Sequence, residues 1–140
     1  MRKKCKVLLM MLCCAIWMCA VPVCAQAKGG NENVAVPYML YIADASSKLS
    51  ITSGTSNVQS WLSGTSSVTK VSITAKLQQY KNGSWTTIKT FSKSKDSTSV
   101  TLSDTYPVTK GYTYRVQSTV TAYCGGASET RTVTSNEVKY

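Results

Sequence analysis

The chain has 140 residues, a formal net charge of +10 at pH 7 and no histidine. This length suits one domain rather than two, and without histidine few groups remain for metal ligation or acid–base catalysis. The basic residues are scattered, apart from a pair at Lys93 and Lys95. Because a nucleic-acid-binding stripe concentrates its cations, we expect no nucleic acid partner. The scatter favours a solvated surface, with attraction to an anionic cell wall or membrane as the alternative.

Residues 1–27 have the three parts of a secretory signal peptide. Four basic residues precede an apolar run over 7–21, and the small residues Ala25 and Ala27 fit a cleavage site before Lys28. The apolar run of about 15 residues is shorter than the roughly 20 that span a bilayer, so cleavage is favoured over a membrane anchor. We expect a secreted, extracellular protein that meets the membrane only during export.

Cleavage at this site would leave Cys124 as the single cysteine, because the other five lie within residues 1–27. An intramolecular disulfide is then impossible, and Cys124 is a free thiol unless it pairs with another chain. In the alternation of the predicted strand, Cys124 falls on the same side as Tyr112 and Val116. This position favours packing in the core as a small hydrophobe. An intermolecular disulfide or a redox role is the alternative.

Residues 28–36, rich in glycine and asparagine, are expected to form a flexible leader before a single domain over 37–140. In that domain apolar residues recur at every second position, the pattern of half-buried strands. The last strand is polar and is predicted to be an edge, where Glu129 and Arg131 hinder edge pairing. The spacing predicts an all-β sandwich of seven to eight antiparallel strands. The predicted strands cover 38–42, 49–51, 58–62, 71–77, 86–91, 100–102, 111–124 and 129–138.

Asn82-Gly83 marks a two-residue hairpin turn and provides the best candidate for binding. In that hairpin Tyr80 would face Trp85, and Leu77 would face Ile88. With Leu77 in the core, the two rings point outward, and flanking lysines (Lys76 and Lys89) complete a platform for a sugar or a protein. Alternatively, a bulge turns Trp85 inward to cap the core, or the cross-strand pair only stabilises the hairpin. We favour this second interpretation, since a one-residue change of register reverses every face.

The acidic residues do not suggest an active site. They are Glu32, Asp44, Asp96, Asp104, Glu129 and Glu137. No spacing pairs two carboxylates, and no serine has the surroundings of a nucleophile elbow. We therefore expect neither an enzyme nor a bound cofactor or metal ion.

A stretch late in the chain resembles fibronectin type III and related immunoglobulin-like domains. It consists of Leu102, Pro107 and Gly111-Tyr112-Thr113-Tyr114-Arg115-Val116. The resemblance implies a corner tyrosine that hydrogen-bonds back to the backbone, and either Tyr112 or Tyr114 would have that role. The core tryptophan of fibronectin type III domains has only Trp61 as a counterpart, in an unfavourable parity, so the resemblance is to immunoglobulin-like sandwiches more broadly.

The chain after residue 27 is also similar to small secreted proteins of Gram-positive, clostridia-like bacteria, a family of unknown function. The similarity lies at 49–51, 70–78, 82–85 and 111–116. It implies a fold and a location but no activity. Two functions stay open: a module that binds a cell-surface glycan, another surface or a protein, and a structural or toxin-like factor that acts by self-association or membrane contact.

Overall fold

Alternation of apolar and polar side chains gives strands, and no helix, throughout the part of the chain that the structure describes. The computed structural model describes residues 40–140. The expected signal peptide, its cleavage site between Ala27 and Lys28, and the leader over 28–36 lie outside the described residues. The strands are β1 (Ile42–Thr52), β2 (Thr55–Gly64), β3 (Lys70–Lys81), β4 (Ser84–Lys95), β5 (Ser99–Pro107), β6 (Thr113–Cys124), β7 (Ala127–Thr134) and β8 (Val138–Lys139).

The strands form two antiparallel sheets that face each other across one core. The first sheet has the order β1-β2-β5; the second has the order β4-β3-β6-β7, with β8 also paired to β6. Alternate side chains of both sheets are buried, so the predicted all-β sandwich is confirmed. The largest fully buried side chains are those of Tyr114, Ile42, Leu49, Leu62, Ile73, Leu77 and Leu102.

Residues 38 and 39 of the first predicted strand lie outside the described residues, and from Ile42 one strand, β1, continues through the strand predicted over 49–51. The residues between 42 and 49 are mostly polar and belong to neither predicted strand. In the structure this segment pairs with β2 along its whole length, after an irregularity between Ile42 and Asp44. Ser47 can point into the sandwich because its hydroxyl forms hydrogen bonds with Ser60 and Ser118 there. A polar residue therefore does not by itself mark the end of a strand.

Three serine hydroxyls form a cluster that joins the two sheets inside the sandwich. Ser60 Oγ on β2 lies 2.7 Å from Ser118 Oγ on β6, and Ser47 Oγ lies 3.0 Å and 3.2 Å from these two atoms. Ser60 and Ser118 are almost completely buried. Because each hydroxyl can both donate and accept, the cluster satisfies its own polar atoms in the core.

Tyr114 holds the corner between β5 and β6. Its ring is fully buried. Its hydroxyl donates to the Thr109 carbonyl at 2.7 Å and accepts from the Thr109 N–H at 3.1 Å and from Gln79 Nε2 at 3.0 Å. Of the two tyrosines that the resemblance allowed, Tyr114 therefore makes the bond back to the backbone, while Tyr112 is half-buried.

Side chains from the last part of the chain cover the edge of β1. Glu129 Oε2 on β7 accepts the N–H groups of Tyr41 (2.7 Å) and Ile42 (2.9 Å). Farther along, the Asn136 amide accepts from the Leu49 N–H at 3.2 Å and donates to the Leu49 carbonyl at 3.0 Å. These contacts give β1 partners that an exposed edge strand would lack. Glu129 thus binds a neighbouring edge, and the strand predicted over 129–138 is broken at Asn136 into β7 and β8.

The opposite side of the sandwich is closed by a lysine. Lys93 on β4 donates from Nζ to the carbonyl oxygen of Thr101 on β5 at 2.8 Å. Both edge strands of the first sheet are therefore hydrogen-bonded to side chains of the second sheet, β1 as the donor and β5 as the acceptor.

The sandwich has two distinguishable ends. The N-terminal end includes Tyr41, whose carbonyl accepts from Thr65 N–H at 2.9 Å, and Tyr123, whose carbonyl accepts from Thr69 N–H at 2.9 Å. The C-terminal end includes Tyr140, whose N–H donates to the Tyr112 carbonyl at 3.0 Å. The described chain thus enters at one end of the strands and finishes at the other.

Candidate functional site

The hairpin between β3 and β4 has the predicted turn. Asn82 and Gly83 have φ values of 52° and 78°, the positive pair that a type I′ turn requires. This turn pairs Lys81 with Ser84 and Tyr80 with Trp85. The expected opposition of the two aromatic residues is confirmed.

The two aromatic rings form a pair on the outside of the second sheet. Their centroids are 5.1 Å apart and their planes are inclined at 55°. Tyr80 is 44% exposed and Trp85 is half-buried. Neither ring belongs to the hydrophobic core or to the partly buried residues packed against it. The inward cap is therefore wrong, whereas a cross-strand pair that stabilises the hairpin is consistent with this geometry.

A bulge does occur in this hairpin, but it lies after Trp85. Leu77 pairs with Lys89 and Gln78 with Thr87, so Ile88 is the extra residue and the predicted Leu77–Ile88 pairing is wrong. The bulge restores an inward position to Phe91, which is buried opposite Ala75. Without it, Phe91 would point into solvent.

The same bulge separates the two flanking lysines. Lys76 shares the outward face with Tyr80 and pairs with Gln117. Lys89 takes the face of Leu77 instead, and its Nζ lies 5.7 Å from the ring centroid of Tyr106 and 5.9 Å from that of Phe91. Lys89 therefore does not flank the aromatic pair.

Arg115, from β6, supports the tryptophan ring. Its guanidinium carbon lies 4.1 Å from the Trp85 ring centroid, and its Nε donates to Gln78 Oε1 at 2.9 Å. A stacked guanidinium is attracted by the negative face of an indole. Arg115 and Gln78 thus hold Trp85 against the sheet while Tyr80 stays open to solvent.

A shallow groove of about 360 Å³ lies beside the rings. Tyr80, Trp85, Thr113 and Glu137 line it. These side chains suit an amphipathic ligand such as a sugar. The two rings can cover the apolar face of the ligand, and the Thr113 hydroxyl and the Glu137 carboxylate can bind its hydroxyl groups. No local sequence pattern predicts that Arg115, Thr113 or Glu137 lies here. Arg115 and Thr113 reach the rings through the pairing of β3 with β6, and Glu137 does so through the path of the chain after β7.

A second groove, of about 430 Å³, lies at the N-terminal end. Lys70 and Tyr123 line it together with the turn at Gly125 and Gly126, and Lys70 Nζ is 5.7 Å from the Tyr123 ring centroid. Cys124 lies beside this turn as a half-buried free thiol, outside the hydrophobic core cluster. The predicted burial of Cys124 is thus only partial.

No protein-family model matches the chain, and no curated protein is significantly similar to it.

Among residues 40–140, no group of His, Cys, Asp and Glu side chains could hold a metal ion. Within the same residues, no helix has the length and apolar character needed to cross a membrane.

Proposed function

We propose that this protein is a secreted, non-catalytic β-sandwich module that binds a glycan at the Tyr80–Trp85 groove. The observation that carries the proposal is the ring pair itself, outside the core and with Tyr80 44% exposed. An aromatic pair held in this way adds contact area at small entropic cost, and Tyr and Trp are the residue types that dominate binding energy.

A binding role suits the groove better than hydrolysis of the same ligand. Glu137 is the only carboxylate among the described residues that line it. Glycoside hydrolysis ordinarily requires two carboxylates about 5 to 10 Å apart. One carboxylate beside two rings instead serves to accept hydrogen bonds from sugar hydroxyls.

An immunoglobulin-like ancestry is part of the proposal. In a constant-type immunoglobulin sandwich the first, second, fifth and fourth strands form one sheet, and the third, sixth and seventh form the other. Here the order is β1-β2-β5 and β4-β3-β6-β7, so only the fourth strand changes sheet. The hydrogen bond between the Tyr114 hydroxyl and the Thr109 carbonyl supports the same relationship. Modules of this architecture are common in cell-surface proteins.

Replacement of the tryptophan tests the function. We expect Trp85→Ala to abolish retention on immobilised cell-wall polysaccharide while it lowers the free energy of unfolding by about 1 kcal/mol, as for other exposed cross-strand and cation–π contacts. The matched control is Trp61→Ala: Trp61 is half-buried on β2, paired with Ser46 and Thr101, and its loss should leave retention unchanged. Equal retention of both variants and the wild type would contradict the proposal.

Fluorescence gives an independent measurement before any ligand is known. In a Trp61→Phe background the secreted chain would have Trp85 as its single tryptophan. We expect emission that acrylamide quenches readily and that shifts when a glycan binds. Blue-shifted emission resistant to acrylamide would place Trp85 in an enclosed environment and remove the proposed platform.

A further inference from the structure

The outward face of the second sheet extends well beyond the aromatic groove. We define the outer face as the outward side chains of β3, β4, β6 and β7, from the row of Trp85, Tyr80 and Thr113 to the row of Lys70, Tyr123 and Ser128. Register pairs these residues directly across the strands, so each row lies on one side of the sheet. Between the two end rows, ten residues of β3 rise by about 33 Å.

Hydroxyl side chains fill most of the rows between the two ends. Neighbouring strands bring them within hydrogen-bonding distance of one another: Ser92 Oγ lies 3.4 Å from Thr74 Oγ1, and Thr121 Oγ1 lies 3.0 Å from Thr130 Oγ1. A face of this kind offers donors and acceptors at regular intervals along the strands. It matches a long ligand that itself carries many hydroxyl groups.

The charges on the outer face all have one sign. Lys70, Lys76 and Arg115 occupy outward positions, whereas no acidic residue does so on these four described strands. On the first sheet, by contrast, the outward positions of β1 include both Asp44 and Lys48. The outward positions of these four strands thus have cations only, and Glu137 brings a carboxylate to the groove at one end.

Both ends of the outer face have an aromatic ring beside a groove. Tyr80 and Trp85 line the first groove, and Tyr123, 38% exposed, lines the second. The first groove includes the carboxylate of Glu137, while the second has the ammonium group of Lys70 and no acid among its lining residues.

We infer that the ligand of the proposed function is an acidic polysaccharide that lies along the outer face, from the first groove to the second. This inference rests on the proposed function and specifies its substrate class. Rings at both ends stack on sugar faces, hydroxyl rows bind the chain between them, and the three cations pair with its carboxylates. Lys70 and Lys76 are about 20 Å apart along β3, whereas a nucleic acid site clusters its cations along the phosphate backbone.

Calorimetry on the secreted chain tests the inference with galacturonate oligomers of increasing length. The uncharged methyl esters of the same oligomers are the matched ligands. We expect the affinity to rise with length until an oligomer spans the outer face and then to level off. Tyr123→Ala should weaken binding of the longest acid oligomer about thirtyfold or more, the loss typical of an interface hot spot, and leave the shortest oligomer unaffected. Lys76→Gln should weaken the acid and not the ester, and reduce the effect of salt.

Lys48→Gln, on the opposite sheet, is the control and should change nothing. The inference is overturned if Tyr123→Ala and Lys76→Gln behave like Lys48→Gln, or if affinity does not depend on length; the proposed function then still stands as long as Trp85→Ala abolishes binding. The inference is also overturned if neither galacturonate nor hyaluronate oligomers bind. The same holds if oligothymidylate displaces the longest acid oligomer at a lower concentration than that oligomer itself does. If Trp85→Ala leaves binding of the shortest oligomer unchanged, the proposed function fails on its own account.

Discussion

At the scale of single residues, the Tyr114 hydroxyl shows how one atom fixes the position of a loop. It bonds both backbone groups of Thr109 and also the Gln79 amide. Tyr112 has the same parity two residues earlier, so alternation could not distinguish the two. The distinction depends on which ring lies deep enough for its hydroxyl to reach the loop before β6, and that depth is a property of the packed sandwich.

Removal of this hydroxyl should be costly although the change is small. We expect Tyr114→Phe to lower the free energy of unfolding by about 1–3 kcal/mol, because both backbone groups of Thr109 and the Gln79 amide lose a partner in this part-buried corner. Tyr112→Phe is the control and should have less than half of that effect. Urea denaturation would measure both, and equal midpoints for the two variants would contradict the role assigned to Tyr114.

The residues of the aromatic groove were only partly predictable. Asn82-Gly83 identified the turn, and the turn determined that Tyr80 faces Trp85. Arg115 and Glu137 could not be selected in the same way, because they come from parts of the chain about 30 and 50 residues away, joined to the hairpin by sheet pairing. Local patterns describe a hairpin well, but they do not describe its neighbours.

At the scale of elements, β4 demonstrates that apolar spacing can reveal a bulge. Trp85, Ile88 and Phe91 recur every third residue, which an uninterrupted strand of period two cannot place on one face. A bulge at Ile88 brings Phe91 into the core opposite Ala75, at the cost of an inward position for Lys89 near the edge. The three-residue spacing of Trp85, Ile88 and Phe91 is visible in the sequence and argues against the predicted Leu77–Ile88 pairing.

The parity of β3 determines which substitutions unfold the protein. Ile73 and Leu77 are fully buried, so we expect Ile73→Ala and Leu77→Ala each to cost about 2–5 kcal/mol, the range for truncation of buried aliphatic side chains. Lys81→Ala, at the exposed end of the same strand, should be nearly neutral. Thermal denaturation gives the comparison; an unchanged midpoint for Leu77→Ala would mean that β3 presents its other face to the core.

At the scale of the whole molecule, the sequence predicts export. Intact-mass measurement of secreted material should give a chain that begins at Lys28, because Ala25 and Ala27 suit signal peptidase. Protein recovered with residues 1–27 attached in the membrane fraction would instead indicate an uncleaved anchor.

The covered edges predict the state of association. Glu129 and Asn136 occupy the edge of β1, Lys93 reaches β5, and the outer edge of β4 is rich in lysine. We therefore expect the secreted chain to elute as a monomer in size exclusion, with or without reductant, and Cys124→Ser to elute identically. A larger species that reductant or Cys124→Ser removes would favour self-association as the function.

The opposite placement of residue 40 and Tyr140, the two ends of the described segment, decides how the protein can be displayed on a sensor surface. Residue 40 leaves from the end that has Tyr123, whereas Tyr140 lies at the end that has the Tyr80–Trp85 groove. A tag fused before residue 40 would hold the molecule with its aromatic groove directed away from the support. A tag fused after Tyr140 would crowd that groove and leave the Tyr123 end accessible, so paired immobilisations report on the two grooves separately.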